Sequence, residues 1–375
     1  MRFEFASAAR IVFGAGAVRD VPAAARDMGR HALLVTRRST NPRDAGLDGV
    51  PFGIHGEPDV ETVRKGTQTA RAESCDLVIA LGGGSAIDTG KAIAALLANG
   101  GDPLDYLEVV GKGQPLRLPS APFIAIPTTA GTGSEVTRNA VLGSREQHVK
   151  ASLRSPHMLP RLAVVDPQLT FDLPPALTAS TGLDALTQLI EPFVSVRANP
   201  MTDLYCLQGM RLVAASLRRA YFEGSDRAAR TDMSFASLLG GLALANAGLG
   251  AVHGFAAPLG GLFDAPHGAL CAALLPHAMR VNIGALRSAG EQAALQRYER
   301  AARVLTGHEC ATPEDGASWI ENLCRDLEVP PLRAYGVRQS DVPALAERAA
   351  AASSMKANPI KLTRDQLEEL LARAI

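Results

Sequence analysis

The chain has 375 residues, 47% of them hydrophobic and 20% charged, with 38 basic residues balanced by 38 acidic ones. That balance belongs to a globular protein long enough for ~2–3 domains and a core that needs no covalent staples. A net charge of zero, with no basic run and no aromatic platform, argues against nucleic acid or a membrane surface as partner.

Taken in order, the first element is a short strand at Arg10-Ile11-Val12-Phe13, which runs into the glycine turn Gly14-Ala15-Gly16. A helix is predicted over 18–28 and a strand over 32–36, with Arg37, Arg38, Ser39 and Thr40 at its C-terminal end. A loop rich in Gly, Pro and Asp follows, then a polar helix over 60–73. The run Leu77-Val78-Ile79-Ala80-Leu81 is wholly apolar, the mark of a strand buried on both faces. It opens into Gly82-Gly83-Gly84-Ser85 and a helix over 86–98. Phe123-Ile124-Ala125-Ile126 is a second buried strand, and Leu162-Ala163-Val164-Val165-Asp166 a further one. Strands alternating with helices at this spacing predict an α/β domain with a doubly wound parallel sheet. Beyond Pro174-Pro175 only helical periodicity remains. The boundary therefore falls within 170–176, giving an α/β domain over 1–172 and an all-α domain over 173–375.

Two loops follow buried strands and are polar. Gly82-Gly83-Gly84-Ser85 lets a backbone approach a phosphate closely at a helix start, where free N–H groups and the dipole favour anions. It is neither G-x-G-x-x-G nor a Walker motif. Asp88, one turn into the helix, suits a hydrogen bond to a polar part of the ligand or to the loop. Pro127-Thr128-Thr129-Ala130-Gly131-Thr132-Gly133-Ser134-Glu135-Val136-Thr137 ends the next strand, at the sheet edge where ligands of open α/β sheets bind. Its hydroxyls serve equally as turn formers and caps.

The stretch Thr181-Gly182-Leu183-Asp184-Ala185-Leu186-Thr187-Gln188-Leu189-Ile190-Glu191 reads as the start of a helix capped by Thr181. Asp184 and Gln188 are four residues apart and share one face. Alone, the pair is as well explained by a first-turn acid and a solvated amide. His253 and His267 lie in an apolar, glycine-punctuated segment, too far apart for a helical pair, and imidazoles there suit a metal together with the Asp184 carboxylate. The cysteines, Cys75, Cys206, Cys271, Cys310 and Cys324, form no C-x-x-C pair. Their spacing predicts free thiols in a reducing compartment, not disulfides or a thiolate metal site. No secretory leader is visible and apolar runs are interrupted, so a cytoplasmic protein is expected.

These motifs, in this order, resemble the iron-containing (group III) alcohol dehydrogenase family. The resemblance rests on Gly82-Gly83-Gly84-Ser85 with Asp88 and Lys91, the loop over 127–137, Asp166-Pro167, Leu173-Pro174-Pro175 and Thr181 to Thr187. It continues through the segment from His253 to Gly268 and Asn358-Pro359 with Thr363 and Asp365. It implies the dehydroquinate synthase-like, group III alcohol dehydrogenase architecture, with a metal between a nucleotide-binding and a helical domain. It further implies hydride transfer between NAD(P) and an alcohol or carbonyl compound, in a homodimer. Gly83, Gly84, Ser85, Asp88, Thr128, Thr129, Thr132 and Lys150 are the implied cofactor contacts. Asp184, His253 and His267 match three of the four usual metal ligands and are the implied catalytic residues.

Two positions depart from the pattern. Gln188 stands where the fourth ligand is usually histidine, and Ala257 where a proton-relay histidine is usual. A divalent metal, Fe(II) or Zn(II), is expected nonetheless, with Gln188 a conditional ligand. Arg37, Arg38 and Ser39, where an acid would favour NAD, favour NADP(H). Two other activities are compatible with the chain. One is maleylacetate reduction, with Lys150, Arg154 and Arg197 as the cations nearest in sequence for a dianion. The other is nucleotide binding without catalysis, after decay of the metal site.

Overall fold

The structure is a computed structural model that describes residues 2–37, 42–144 and 149–375. The chain divides into two compact units, Phe5–Phe171 and, together with the N-terminal residues up to Glu4, Asp172–Ile375.

The first unit is built on a parallel sheet of β1 (Ile11–Phe13), β2 (Ala32–Arg37), β3 (Val50–Ile54), β4 (Leu77–Gly82), β5 (Phe123–Pro127) and β8 (Leu162–Val165). Their spatial order is β1-β8-β5-β4-β2-β3. The helices between them are α1 (Val21–Met28), α2 (Val60–Ala72), α3 (Gly84–Asn99) and the single turn α4 (Pro103–Tyr106). Alternation along the strands explains the layers. Leu33, Val35, Val78 and Ala80 pack on one face with Val63, Ile87 and Ile93, while Leu34, Leu77, Ile79 and Ile126 pack on the other with Val21. Both faces are covered, so the central strands are apolar throughout.

Three features of this unit were not expected. β3 lies at the sheet edge, paired only with β2, where Pro51 and Gly53 cost little because one side needs no ladder. An antiparallel hairpin, β6 (Asn139–Ser144) with β7 (Val149–Arg154), extends the threonine-rich loop. The helix expected over 18–28 is a 3-10 turn, Ala17–Asp20, followed by α1, with Pro22 near its start.

The second unit is helical: α5 (Pro175–Val194), α6 (Pro200–Phe222), α7 (Arg227–Ala247), α8 (Ala251–Leu262), α9 (His267–Ala289), α10 (Gln292–Thr306), α11 (Pro313–Asp326), α12 (Val342–Ala351) and α13 (Arg364–Ala374). Thr181 does not cap α5. The helix begins six residues earlier, with Pro175 in the first turn where its missing N–H costs nothing, and Thr181 Oγ1 donates to Leu177 O 2.8 Å away. From Gly182 to Val194 every α5 residue is buried, and α6, α7 and α9 all pack against it. By length and composition alone α9 could cross a membrane, yet Pro276, Arg280 and Gly284 interrupt its apolar run as expected. Its most apolar window is 83% buried, so here it is a core helix.

Candidate metal and nucleotide sites

In the first unit the strand order reverses between β2 and β4, the switch point beside which open α/β sheets bind ligands. The glycine loop leaves β4 at that edge, and the threonine loop leaves the neighbouring β5. Thr128 N donates to Gly82 O at 3.0 Å. The two loops then touch: a Cβ on Gly83 would lie 3.3 Å from Thr129 Cγ2, and one on Gly84 only 2.7 Å from Thr132 Cγ2. At Gly84 any side chain would force Thr132 to shift, whereas at Gly83 the contact is only tight. Gly83, Gly84, Ser85, Thr128, Thr129 and Thr132 therefore share one surface at the start of α3.

Lys91 ties this surface together from beneath. Its ammonium is 1% exposed and donates to Ser134 O at 2.8 Å, Thr137 Oγ1 at 2.9 Å and Asn139 O at 2.7 Å. Burial lowers its pKa. Asp88, also buried, accepts from Val141 N at 2.9 Å and so holds the hairpin. Lys150, on β7, has Nζ 3.5 Å from Glu57 Oε2, and Arg154 Nε is 3.5 Å from Glu108 Oε1. These two cations face acids, which does not favour a dianionic substrate. Arg37 ends β2, exposed, while Arg38 and Ser39 lie outside the described residues.

In the second unit, Asp184 and Gln188 on α5 and His253 on α8, all buried, meet the half-buried His267 at the start of α9. Asp184 Oδ1 lies 3.6 Å from His253 Nε2 and 3.7 Å from His267 Nε2. Those separations are too long for hydrogen bonds. Glycine again permits the approach: a Cβ on Gly268 would lie 2.4 Å from Ser180 O and 3.4 Å from Asp184 Cβ. His267 is 34% exposed while Asp184 is 2% exposed, so the group opens on the His267 side.

Two residues of this site escaped the sequence reading. Glu191 continues the Asp184–Gln188 face at i+7 from Asp184. Its Oε1 accepts from Val252 N at 2.7 Å, and its Oε2 lies 2.7 Å from His253 Nδ1. A proton on Nδ1 leaves Nε2 free to face Asp184. Asn358 completes the support, with Oδ1 accepting from Ala251 N at 3.1 Å, so the first free N–H groups of α8 are satisfied. The second missed residue is Cys271, one turn after His267. Its sulfur lies 3.8 Å from His253 Nε2 and 3.7 Å from His267 Nε2. All five cysteines are free thiols, as expected, but Cys271 lies beside metal-capable side chains, a placement that cysteine spacing cannot disclose because the cluster is drawn from three helices.

The donor set fits a cation. Asp184 Oδ1 and Gln188 Oε1 are buried without hydrogen-bond partners, a costly arrangement unless something else binds there. One donor atom each from Asp184, His253, His267 and Cys271 all fall within 4.8 Å of one another. The electrostatics agree. Burial alone would push the Asp184 carboxyl up, yet His253 and His267 hold it below its usual range. Burial disfavours a charged His267, but Cys271 and Asp184 raise its pKa to about 9.

A doubly wound α/β unit with a glycine loop and a threonine loop at its switch point, followed by a helical unit that gathers Asp184, His253, His267 and Cys271, has the two parts of a nicotinamide-linked, metal-type dehydrogenase. The chain belongs to the iron-containing alcohol dehydrogenase family: residues 8–167 match iron-containing alcohol dehydrogenase, and residues 178–375 match the Fe-containing alcohol dehydrogenase family, C-terminal. It is 38% identical over 361 residues to 1,3-propanediol dehydrogenase of Citrobacter freundii, covering 92% of each chain. The crystal structure of a 1,3-propanediol oxidoreductase superposes with a TM-score of 0.91 at 35% identity over the whole of both chains. Sulfoacetaldehyde reductase from Bifidobacterium kashiwanohense, solved in complex with NAD+, superposes with a TM-score of 0.88 at 30% identity, covering 100% of this chain and 99% of that one. The protein is accordingly an oxidoreductase that interconverts alcohols and carbonyl compounds with a nicotinamide cofactor.

Proposed function

We propose that the chain reduces a small, uncharged or singly charged aldehyde or ketone, reversibly, at a divalent cation held by Asp184, His253 and His267. The observation that carries this reading is the unpartnered Asp184 Oδ1 facing two imidazole nitrogens at 3.6 and 3.7 Å. Fe(II) and Zn(II) both suit such donors. When bound, the nicotinamide supplies the hydride, and the cation polarises the carbonyl and steadies the developing alkoxide.

The chain's own residues do the positioning. Glu191 and Asn358 fix α8 and the His253 ring, and Gly268 seats His267 against α5. The loops carrying Gly83, Gly84, Ser85, Thr128, Thr129 and Thr132 cradle the dinucleotide phosphates, and Lys91 keeps them apposed. Ala257 offers no titratable group, so the proton for the alkoxide comes through water. Arg37 at the β2 edge favours the 2′-phosphate of NADP(H).

NADPH and NADH oxidation over a panel of carbonyl compounds, with metal-loaded and chelated protein, tests this reading. Turnover that requires Fe(II) or Zn(II) supports it, and turnover undiminished after complete chelation overturns the cation's role.

A further inference from the structure

We propose that Cys271 is the fourth protein ligand of the cation, as a thiolate, in place of the side chain at position 188. The proposal rests on the cation reading above but asks a separate question, namely which atom completes the protein's own ligand set beside the position left to the carbonyl.

The geometry is specific. Tetrahedral donors about 2.0–2.3 Å from a common ion lie about 3.3–3.6 Å from one another. The separations here are 3.6 and 3.7 Å from Asp184 Oδ1 to the two imidazole nitrogens, and 3.8 and 3.7 Å from Cys271 Sγ to the same two atoms. Oxygen and sulfur thus approach the same nitrogen pair at nearly the spacing one ion would impose, and all four atoms lie within 4.8 Å of one another. Cys271 is fully buried, and it sits four residues after His267, so both side chains leave one face of α9. The unpartnered Asp184 Oδ1, 2% exposed as a residue, is the independent sign that something binds between them.

The chemistry favours sulfur over the amide. Gln188 offers a neutral oxygen, a weak donor for Fe(II) or Zn(II), whereas a thiolate is anionic and soft. On binding, the Cys271 thiol proton leaves to solvent and the S–metal bond replaces S–H. Asp184 and Cys271 then supply two negative charges to a doubly charged ion, with His253 and His267 neutral. Gln188 Oε1, buried without a hydrogen-bond partner like Asp184 Oδ1, is the competing donor, and the Gln188→Ala arm of the test below separates it from the thiolate.

Cobalt(II) substitution under anaerobic conditions, read by absorption spectroscopy, tests the assignment without using activity. Wild-type protein is expected to bind cobalt and show an intense near-ultraviolet sulfur-to-cobalt charge-transfer band. Cys271→Ser should lose that band and weaken cobalt binding by about 100-fold or more, beyond the ~10–100-fold typical of losing an outer hydrogen-bond partner. Gln188→Ala should keep the band. Cobalt bound by wild-type protein without a charge-transfer band overturns the thiolate and leaves the cation reading standing. So does a band that survives in Cys271→Ser. Failure of wild-type protein to bind cobalt, iron or zinc overturns both. The wild-type spectrum decides the matter even if the cysteine variant does not fold.

Discussion

Glu191 grips α8 at two points, accepting from Val252 N through one oxygen and meeting His253 Nδ1 through the other, each at 2.7 Å. A single carboxylate thereby sets both the start of a helix and the orientation of the imidazole that helix carries. Glu191→Gln keeps the size but removes the charge and one acceptor. Metal affinity should fall ~10–100-fold, as for other second partners of ligating histidines. Competition with a chromophoric chelator measures it, and an unchanged affinity would show that Glu191 merely packs.

Gly268 controls how near His267 comes to Asp184. A methyl group there would lie 2.4 Å from Ser180 O, a backbone atom that cannot swing aside. Gly268→Ala should destabilise the helical unit by about 1–3 kcal/mol and lower metal content together with it. Thermal unfolding and elemental analysis of the same sample test both halves. Loss of stability with full metal content would mean that the site tolerates a wider spacing.

At Gly84 the neighbour is Thr132 Cγ2, 2.7 Å from where an added methyl would sit. Gly84→Ala should push the two nucleotide loops apart and weaken dinucleotide binding at least tenfold, about 1.4 kcal/mol, with little effect on metal content. Fluorescence titration with NADH and NADPH reads it directly. Equal affinity in the variant would place the dinucleotide elsewhere.

Glu135 is 2% exposed, and burial raises its pKa to about 7, against a weaker pull downward from its own backbone N–H and from Lys91. The folded state therefore holds a proton that the unfolded chain releases near pH 4.5. Below that pH the group costs nothing. Between about 4.5 and 7 it increasingly favours unfolding, and above 7 the penalty is complete, on the order of 1–3 kcal/mol. Glu135→Gln should flatten this dependence and unfold at higher temperature than wild type at about pH 8 but not at about pH 4.5. Parallel curves across that range would refute the shift.

Arg37 is exposed at the C-terminal end of β2. Arg37→Glu should raise the KM for NADPH about tenfold or more while leaving that for NADH within a few-fold. A constant ratio of the two would remove Arg37 from cofactor choice.

How far the sequence revealed all this depended on what each signal measures. The apolar runs at Leu77 and Phe123 disclosed β4 and β5 because strands buried on both faces carry no competing pattern. β3 was hidden by Pro51 and Gly53, residues tolerated only because it is an edge strand, which is a tertiary fact. Thr181 resembled a cap because threonine is favoured there, yet the true start is marked by Pro174-Pro175. Asp184, His253 and His267 were legible through motif resemblance. Glu191 was visible in principle as the third polar residue on one helical face. Cys271 needed the fold: its i+4 relation to His267 matters only once α5 and α8 bring Asp184 and His253 to the same point.

The most direct test of the central claim is the metal content of anaerobically purified wild-type protein beside Asp184→Ala. One equivalent of iron or zinc per chain is expected in wild type, and a loss of about tenfold or more, with carbonyl reduction lost in parallel, in the variant. Metal-free wild-type protein that still reduces carbonyl compounds, or a variant with undiminished metal, would contradict it.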